Sequence, residues 1–396
     1  MCTITIRNFG PISDTGRMDI KPLTILCGQQ GSGKSTIAKL ISTCSWIEKA
    51  LVRQQITVNF VTSNNRFRKF YCKYHYIDNF FKPETYIKYE GGAFLIEYKN
   101  GNVEITPQSG GSYLMPKIMY VPAERNFMVA VEHAEKISGL PPALMTLQDE
   151  YRKALNEQDS LPLPIQGFNV QYDKLNKIAW LMGEGFRVRV HEAASGLQSV
   201  IPLIVVTKNL ERQISNGTAH PLNSEEKEKL RKEVESIYKL NLNEDLRNEL
   251  IMRLNRRYEN VCLWNIVEEI EQNLYPVSQM TVLFSLLAVF NRFTGNELLL
   301  TTHSPDVLDY VTLAAKAGIL KETFKEDERR LSSLKEIIPL ESVIPSGSYG
   351  VYQISENGVV EALPLLSGLP SDDNFLNSHL EETNILFDRL LQLEDE

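Results

Sequence analysis

Residues 28–35 read Gly-Gln-Gln-Gly-Ser-Gly-Lys-Ser and match GxxxxGK[ST] at every fixed position. The chemistry this spacing serves is phosphate binding. Gly28, Gly31 and Gly33, with Ser32 between them, let backbone N–H groups converge on phosphate oxygens, and the start of the following helix adds its positive dipole end. Lys34 reaches the β and γ phosphates, the Ser35 hydroxyl ligates Mg²⁺, and Thr36 completes the binding set. ATP with Mg²⁺ is the ligand expected. A glycine-rich turn that binds nothing is the alternative, but the context favours the cradle. "PLTILC" before it is an apolar run of buried-strand type, and Ile37, Leu40, Ile41 and Trp46 after it share a helical face. The loop alone leaves open which machine it drives.

Three further segments carry candidate chemistry. Ser195, Gly196 and Gln198 in "ASGLQS" are small and polar residues entering a helix, which makes either an anion site or no more than a capped helix start. In "VCLWNIVEEIEQNLYP" the apolar residues end in Glu268 and Glu269. At a strand end facing a phosphate loop, one carboxylate can hold Mg²⁺ and the next polarise the attacking water. Alternatively Ile266, Ile270, Asn273 and Leu274 form one face of an ordinary helix, and Asn265 is awkward in a buried strand. In "LLLTTHSPDVLD" an apolar strand ends in His303, which either touches a γ-phosphate or merely packs at the strand end, while Ser304-Pro305 start a helix.

The order phosphate loop, SGxQ, paired acids, strand-His resembles that of the ABC-type ATPases, in particular their RecF/SMC/OLD-like branch. "ITIRNFGPI" is similar to the opening strand of that group, "YVPAERNF" to a recurrent YxPAER stretch, "VEEIEQNLYP" to EEPExxLHP and "TTHSPDVL" to the switch-histidine motif, over roughly residues 1–310. The resemblance implies that Glu268 is the Mg²⁺-side acid, Glu269 the catalytic base and His303 the γ-phosphate sensor. It implies that Ser195, Gly196 and Gln198 meet the nucleotide of a second subunit, so that a homodimer or higher oligomer sandwiches ATP. Ile270 stands where the group has proline, and Asn273–Tyr275 replace its histidine-bearing turn. "YVPAERNF" contains no clear Q-loop glutamine, and Glu124 or Arg125 is the candidate for its place.

These residues need elements to position them. The expected fold is α/β: an ABC-ATPase P-loop fold with a mostly parallel core sheet, an antiparallel β subdomain, a helical insertion and a C-terminal hairpin plus helix. Expected boundaries are 1–208 for the N-terminal ATPase part, 209–258 for the insertion, 259–330 for the C-terminal ATPase part and 331–396 for the final hairpin and helix. Asn100-Gly101 and Asn357-Gly358 mark hairpin turns. The insertion has room for a helical pair, not for the long heptad arms of SMC proteins. No C-terminal segment has the paired-acid pattern of a Toprim nuclease.

Composition narrows the setting. The chain has 396 residues, a net charge of −8 and five scattered cysteines without a CxxC pair, so a disulfide framework or zinc knuckle is not expected and a cytoplasmic setting is. No apolar run approaches the roughly 20 residues of a membrane span. The acidic balance gives no long-range pull toward nucleic acid. The aromatic-basic stretch Arg66–Tyr76, "RFRKFYCKYHY", is either a strand-stacking patch or a solvated basic face. The resemblance therefore implies an ATPase that controls a separate effector, a nuclease or toxin, as in bacterial anti-phage defence. A RecF/SMC-like DNA-clamping ATPase is the alternative. A transporter's nucleotide-binding subunit and a non-hydrolysing scaffold stand further off.

Overall fold

A computed structural model describes residues 2–108, 113–131, 137, 139–217, 224–240 and 243–394. Its centre is a six-stranded sheet ordered Val360–Ala362, Tyr349–Ile354, Leu23–Gly28, Glu297–Thr302, Cys262–Val267, Pro116–Val121. All neighbours are parallel except the first pair, which is the hairpin turning at Asn357-Gly358. Side chains of the central strands alternate between two cores. Ile25, Leu298, Leu300 and Val267 face one, while Leu26, Leu299 and Ile266 face the other. A strand covered on both faces reads as a continuous apolar run, as "LTILC" and "LLLTT" do. Asn265 fits such a strand because Thr207 Oγ1 accepts from its Nδ2 at 3.1 Å.

A second, antiparallel sheet is ordered Ile12–Asp14, Cys2–Phe9, Phe81–Glu90, Phe94–Lys99, Asn102–Pro107, with Met18–Ile20 also on Cys2–Phe9. It provides the antiparallel subdomain and the hairpin at Asn100-Gly101. A four-stranded antiparallel sheet spans Ser160–Pro162 to Phe186–Arg189. The Arg66–Tyr76 stretch forms short helical turns. Phe67, Tyr71, Cys72 and His75 are buried in it, and Arg66 and Arg68 donate to the carbonyls of Phe60 and Asp78.

The helices Ser224–Lys239 and Glu244–Arg256 make the pair expected within 209–258. They dock on the far end of the helix that follows the phosphate loop. Arg53 Nη2 pairs with Glu226 Oε1 at 2.9 Å, both side chains under a tenth exposed, and Gln55 Nε2 donates to the same oxygen at 2.6 Å. Stripping a buried cation of its partner costs more than the pair itself contributes. Glu226→Ala is expected to lower unfolding stability by about 3–5 kcal/mol, and Arg53→Met on top of it to recover much of that. Urea melts check this, and a single-variant loss below about 1 kcal/mol would count against an unscreened contact.

Candidate functional site

The registers set the phosphate loop, Glu268, Glu269 and His303 at one edge. Cys27 pairs with Thr302, and Val267 pairs with both Leu300 and Val121, so the loops leaving these strands emerge together at their C-terminal ends. Ligands of open parallel sheets bind there. Gly28 ends its strand at φ 144°, and a Cβ on it would stand 2.6 Å from the Ile354 carbonyl oxygen, so only glycine lets the loop turn beside the neighbouring strand. The helix Lys34–Val52 then begins directly on the loop.

Lys34 is 4% exposed. Its ammonium has three donors and meets three acceptors: the carbonyls of Gly28 at 2.8 Å and Gln29 at 2.6 Å, and His303 Nδ1 at 3.2 Å. His303 Nε2 lies 3.4 Å from Glu269 Oε1. One tautomer serves both ends of the ring: Nδ1 accepts from Lys34 and Nε2–H points at Glu269. Nδ1 also lies 3.0 Å from the Gly28 oxygen, which Lys34 already satisfies. The His303 contact holds the Glu269 carboxyl below its usual range, so it is ionised at neutral pH. Burial pulls Lys34 down to about 8, against the attraction of Glu271, Glu269 and Glu268.

Both acids follow the strand Cys262–Val267, not a helix. The Glu268 N–H donates to the Val121 carbonyl at 3.0 Å and its Oε2 accepts from Ala123 N–H at 3.2 Å. Glu268 is 3% exposed, and its Oε1 makes no close hydrogen bond, with the buried Tyr120 hydroxyl as its neighbour. Glu269 takes a left-handed backbone at φ 44°, held by its N–H on Thr301 Oγ1 at 3.0 Å. An open cleft lies between Gly28, Gln29, Gln30, Glu269, Glu271 and His303.

Glu271 is not singled out in the sequence, and Arg125 only as a candidate, with Glu124, for the place of the Q-loop glutamine. Glu271 Oε1 accepts the His303 N–H, which fixes the start of the loop after Thr302. Arg125 is 1% exposed and spends its nitrogens on backbone carbonyls: Glu268 and Glu269 at 2.7 Å each and Ser199 at 3.0 Å. Glu124 is exposed. Nothing in "PAER" distinguishes a buried arginine from a solvated one.

Ser195, Gly196 and Gln198 start the helix Ser195–Ser215. Ser195 is exposed and is not among the residues lining the cleft of its own chain. A Cβ on Gly196 would stand 2.6 Å from the Asn273 carbonyl oxygen, so glycine allows the helix to lie on the loop after the acids. Gln198 Nε2 donates to the His191 carbonyl at 2.8 Å.

Metal fit follows from donor chemistry. The Glu268 Oε1, without a close hydrogen bond, is a hard oxygen kept from solvent, as a Mg²⁺ ligand or its water shell requires. Among the described residues no group of three His, Cys, Asp or Glu can hold a metal ion by itself. A metal here would take most of its ligands from phosphate and water, as Mg²⁺ does.

Fold and site define a P-loop nucleotide site at the C-terminal edge of a mostly parallel sheet. In agreement, residues 1–100 match the family model of the AAA ATPase domain. No curated protein matches the chain. Among solved structures the chain is similar to an SMC head bound to the C-winged helix domain of ScpA, at 7% identity and TM-score 0.41, covering 91% of this chain and 96% of that one. The SMC head domain from Thermotoga maritima follows at 9% identity and TM-score 0.36, covering 92% and 98%. The recombination mediator protein RecF has 10% identity and TM-score 0.32, covering 91% and 97%. Among the described residues no helix is long and apolar enough to cross a membrane.

Proposed function

We propose that the protein binds and hydrolyses ATP between two copies of itself and uses the resulting closure to control a separate effector. The observation that carries the reading is the meeting of Lys34, Glu269 and His303 within hydrogen-bonding distance at the ends of adjacent parallel strands, with Glu268 beside them. Lys34 exchanges the Gly28 and Gln29 carbonyls for β and γ phosphate oxygens. Ser35 and Glu268 would hold Mg²⁺, which when bound would supply positive charge against the phosphate oxygens. Glu269 accepts a proton from water as its oxygen bonds to the γ-phosphorus and the bond to ADP breaks. His303 orients Glu269 and stands next to the γ-phosphate. The exposed Ser195 end, which stands beside the cleft-lining Asn273 but does not itself line the cleft, suits contact with the nucleotide of a second subunit, and a two-fold isologous dimer follows. Control of a nuclease or toxin in anti-phage defence is supported by the resemblance of the motifs alone. The 209–258 pair, docked on the phosphate-loop helix through Arg53 and Glu226, is the part placed to pass closure on.

Molar mass measured with and without ATP and Mg²⁺ tests the assembly. A nucleotide-dependent doubling is expected, and an unchanged monomer would remove the sandwich. Proton linkage offers a second check. Lys34 sits at about 8 before phosphate arrives, and a triphosphate raises it, so charged Lys34 is the binding form. ATP affinity should therefore be flat below pH 8 and fall as pH rises above it, with proton uptake on binding near pH 9. Titration calorimetry in buffers of different ionisation enthalpy reads that uptake, and uptake of none at pH 9 contradicts the Lys34 role.

A further inference from the structure

We propose that Arg125 is a positioning residue that locks the Glu268–Glu269 peptide to the first turn of the Ser195–Ser215 helix, so that seating of that turn on one nucleotide sets the acids at the other. The inference rests on the two-subunit reading above.

The geometry is specific. Arg125 is a buried cation whose hydrogen bonds go to backbone carbonyls from separate elements. Nη1 and Nη2 reach the Glu268 and Glu269 carbonyls at 2.7 Å, and Nε reaches Ser199 at 3.0 Å. Burial pulls its pKa only to about 10, so the guanidinium stays charged at neutral pH. A planar fork of fixed donors can hold two elements in one orientation, which a flexible ammonium cannot. The peptide it grips needs holding, because Glu269 is a non-glycine residue at φ 44°.

The same two elements meet at further points. Asn273 Nδ2 donates to Ser199 Oγ at 3.3 Å, and the Ser199 hydroxyl reaches Gln272 Oε1 at 3.5 Å. Gly196 lies against the Asn273 carbonyl with no room for a Cβ. The start of the helix and the acid loop therefore move as one piece. In the dimer that helix start faces the nucleotide of the partner, whereas the acids face the nucleotide of their own chain. Arg125 thus joins the two sites, and the consequence is positive cooperativity in ATP turnover.

Arg125→Lys in the full chain tests this. Expected are an ATP Kd within about twofold of wild type, a kcat lower by about tenfold or more, and a Hill coefficient falling toward one. A merely structural arginine would lower thermal stability without splitting kcat from Kd. The proposal is overturned if the folded variant keeps wild-type kcat and Hill coefficient, or if the wild type itself has a Hill coefficient of about one. Should the variant not fold, amide exchange on the wild type decides. ATPγS should slow exchange in residues 195–200 and 268–271 together, and slowing in 195–200 alone overturns the linkage. A wild type that neither dimerises nor hydrolyses ATP sinks the parent reading. One that does both, with Arg125→Lys indistinguishable from it, sinks this inference only.

Discussion

Glu269→Gln is expected to bind ATP and dimerise, yet turn over about 10²- to 10⁴-fold more slowly than wild type, the range a positioned general base contributes. The argument starts from the carboxylate. Its contact with His303 Nε2 holds it ionised, and ionised it can take a proton from water. The amide is nearly isosteric and keeps the backbone link to Thr301 and the Arg125 contact, which use main-chain atoms. Phosphate binding rests on Lys34 and the loop, so it survives. With hydrolysis blocked, the closed dimer should accumulate on a sizing column in ATP and Mg²⁺. Phosphate release measured at saturating ATP decides the matter, and wild-type turnover by the variant would return Glu269 to the status of a surface acid.

Lys34→Ala is expected to remove activity by a different route, through loss of binding as well as catalysis. The ammonium is the one side-chain cation among the residues that meet at Gly28 and His303. In a site this sheltered, a fixed charge aimed at phosphoryl oxygens is worth about 10²- to 10³-fold in rate. Alanine also leaves the Gly28 and Gln29 carbonyls and His303 Nδ1 without the donor that now satisfies them. Nucleotide-dependent dimerisation should disappear in this variant while it persists in Glu269→Gln. Fluorescent-nucleotide titration checks the first loss and molar mass the second. An ATPase rate equal to wild type in Lys34→Ala would mean that the glycine loop is a relic.

The two variants separate because the residues were legible to different degrees. The phosphate loop is a contiguous pattern whose function depends on local backbone geometry, so strand, glycines and helix are visible together in residues 22–52. The acid pair and His303 each lay open to a second interpretation, a helix face in one case and a packed histidine in the other. Runs of apolar residues bounded by polar ones report burial on both faces, and that was enough to suggest strands. They do not report which strands are neighbours. Only the registers Val267 to Leu300 and Cys27 to Thr302 bring Glu269 to His303 and His303 to Lys34.

Sequence alone determined the phosphate-binding chemistry, because its glycines, lysine and hydroxyl are written in consecutive residues. Tertiary structure decided the rest. It set the Tyr349–Ile354 strand beside Leu23–Gly28, buried Asn265 against Thr207, and closed Arg125 onto carbonyls from the acid loop and the Ser195 helix. Each of these joins residues tens to hundreds of positions apart, and the free energy that selects the partner comes from packing and desolvation in the folded chain. Local propensity carries no record of it.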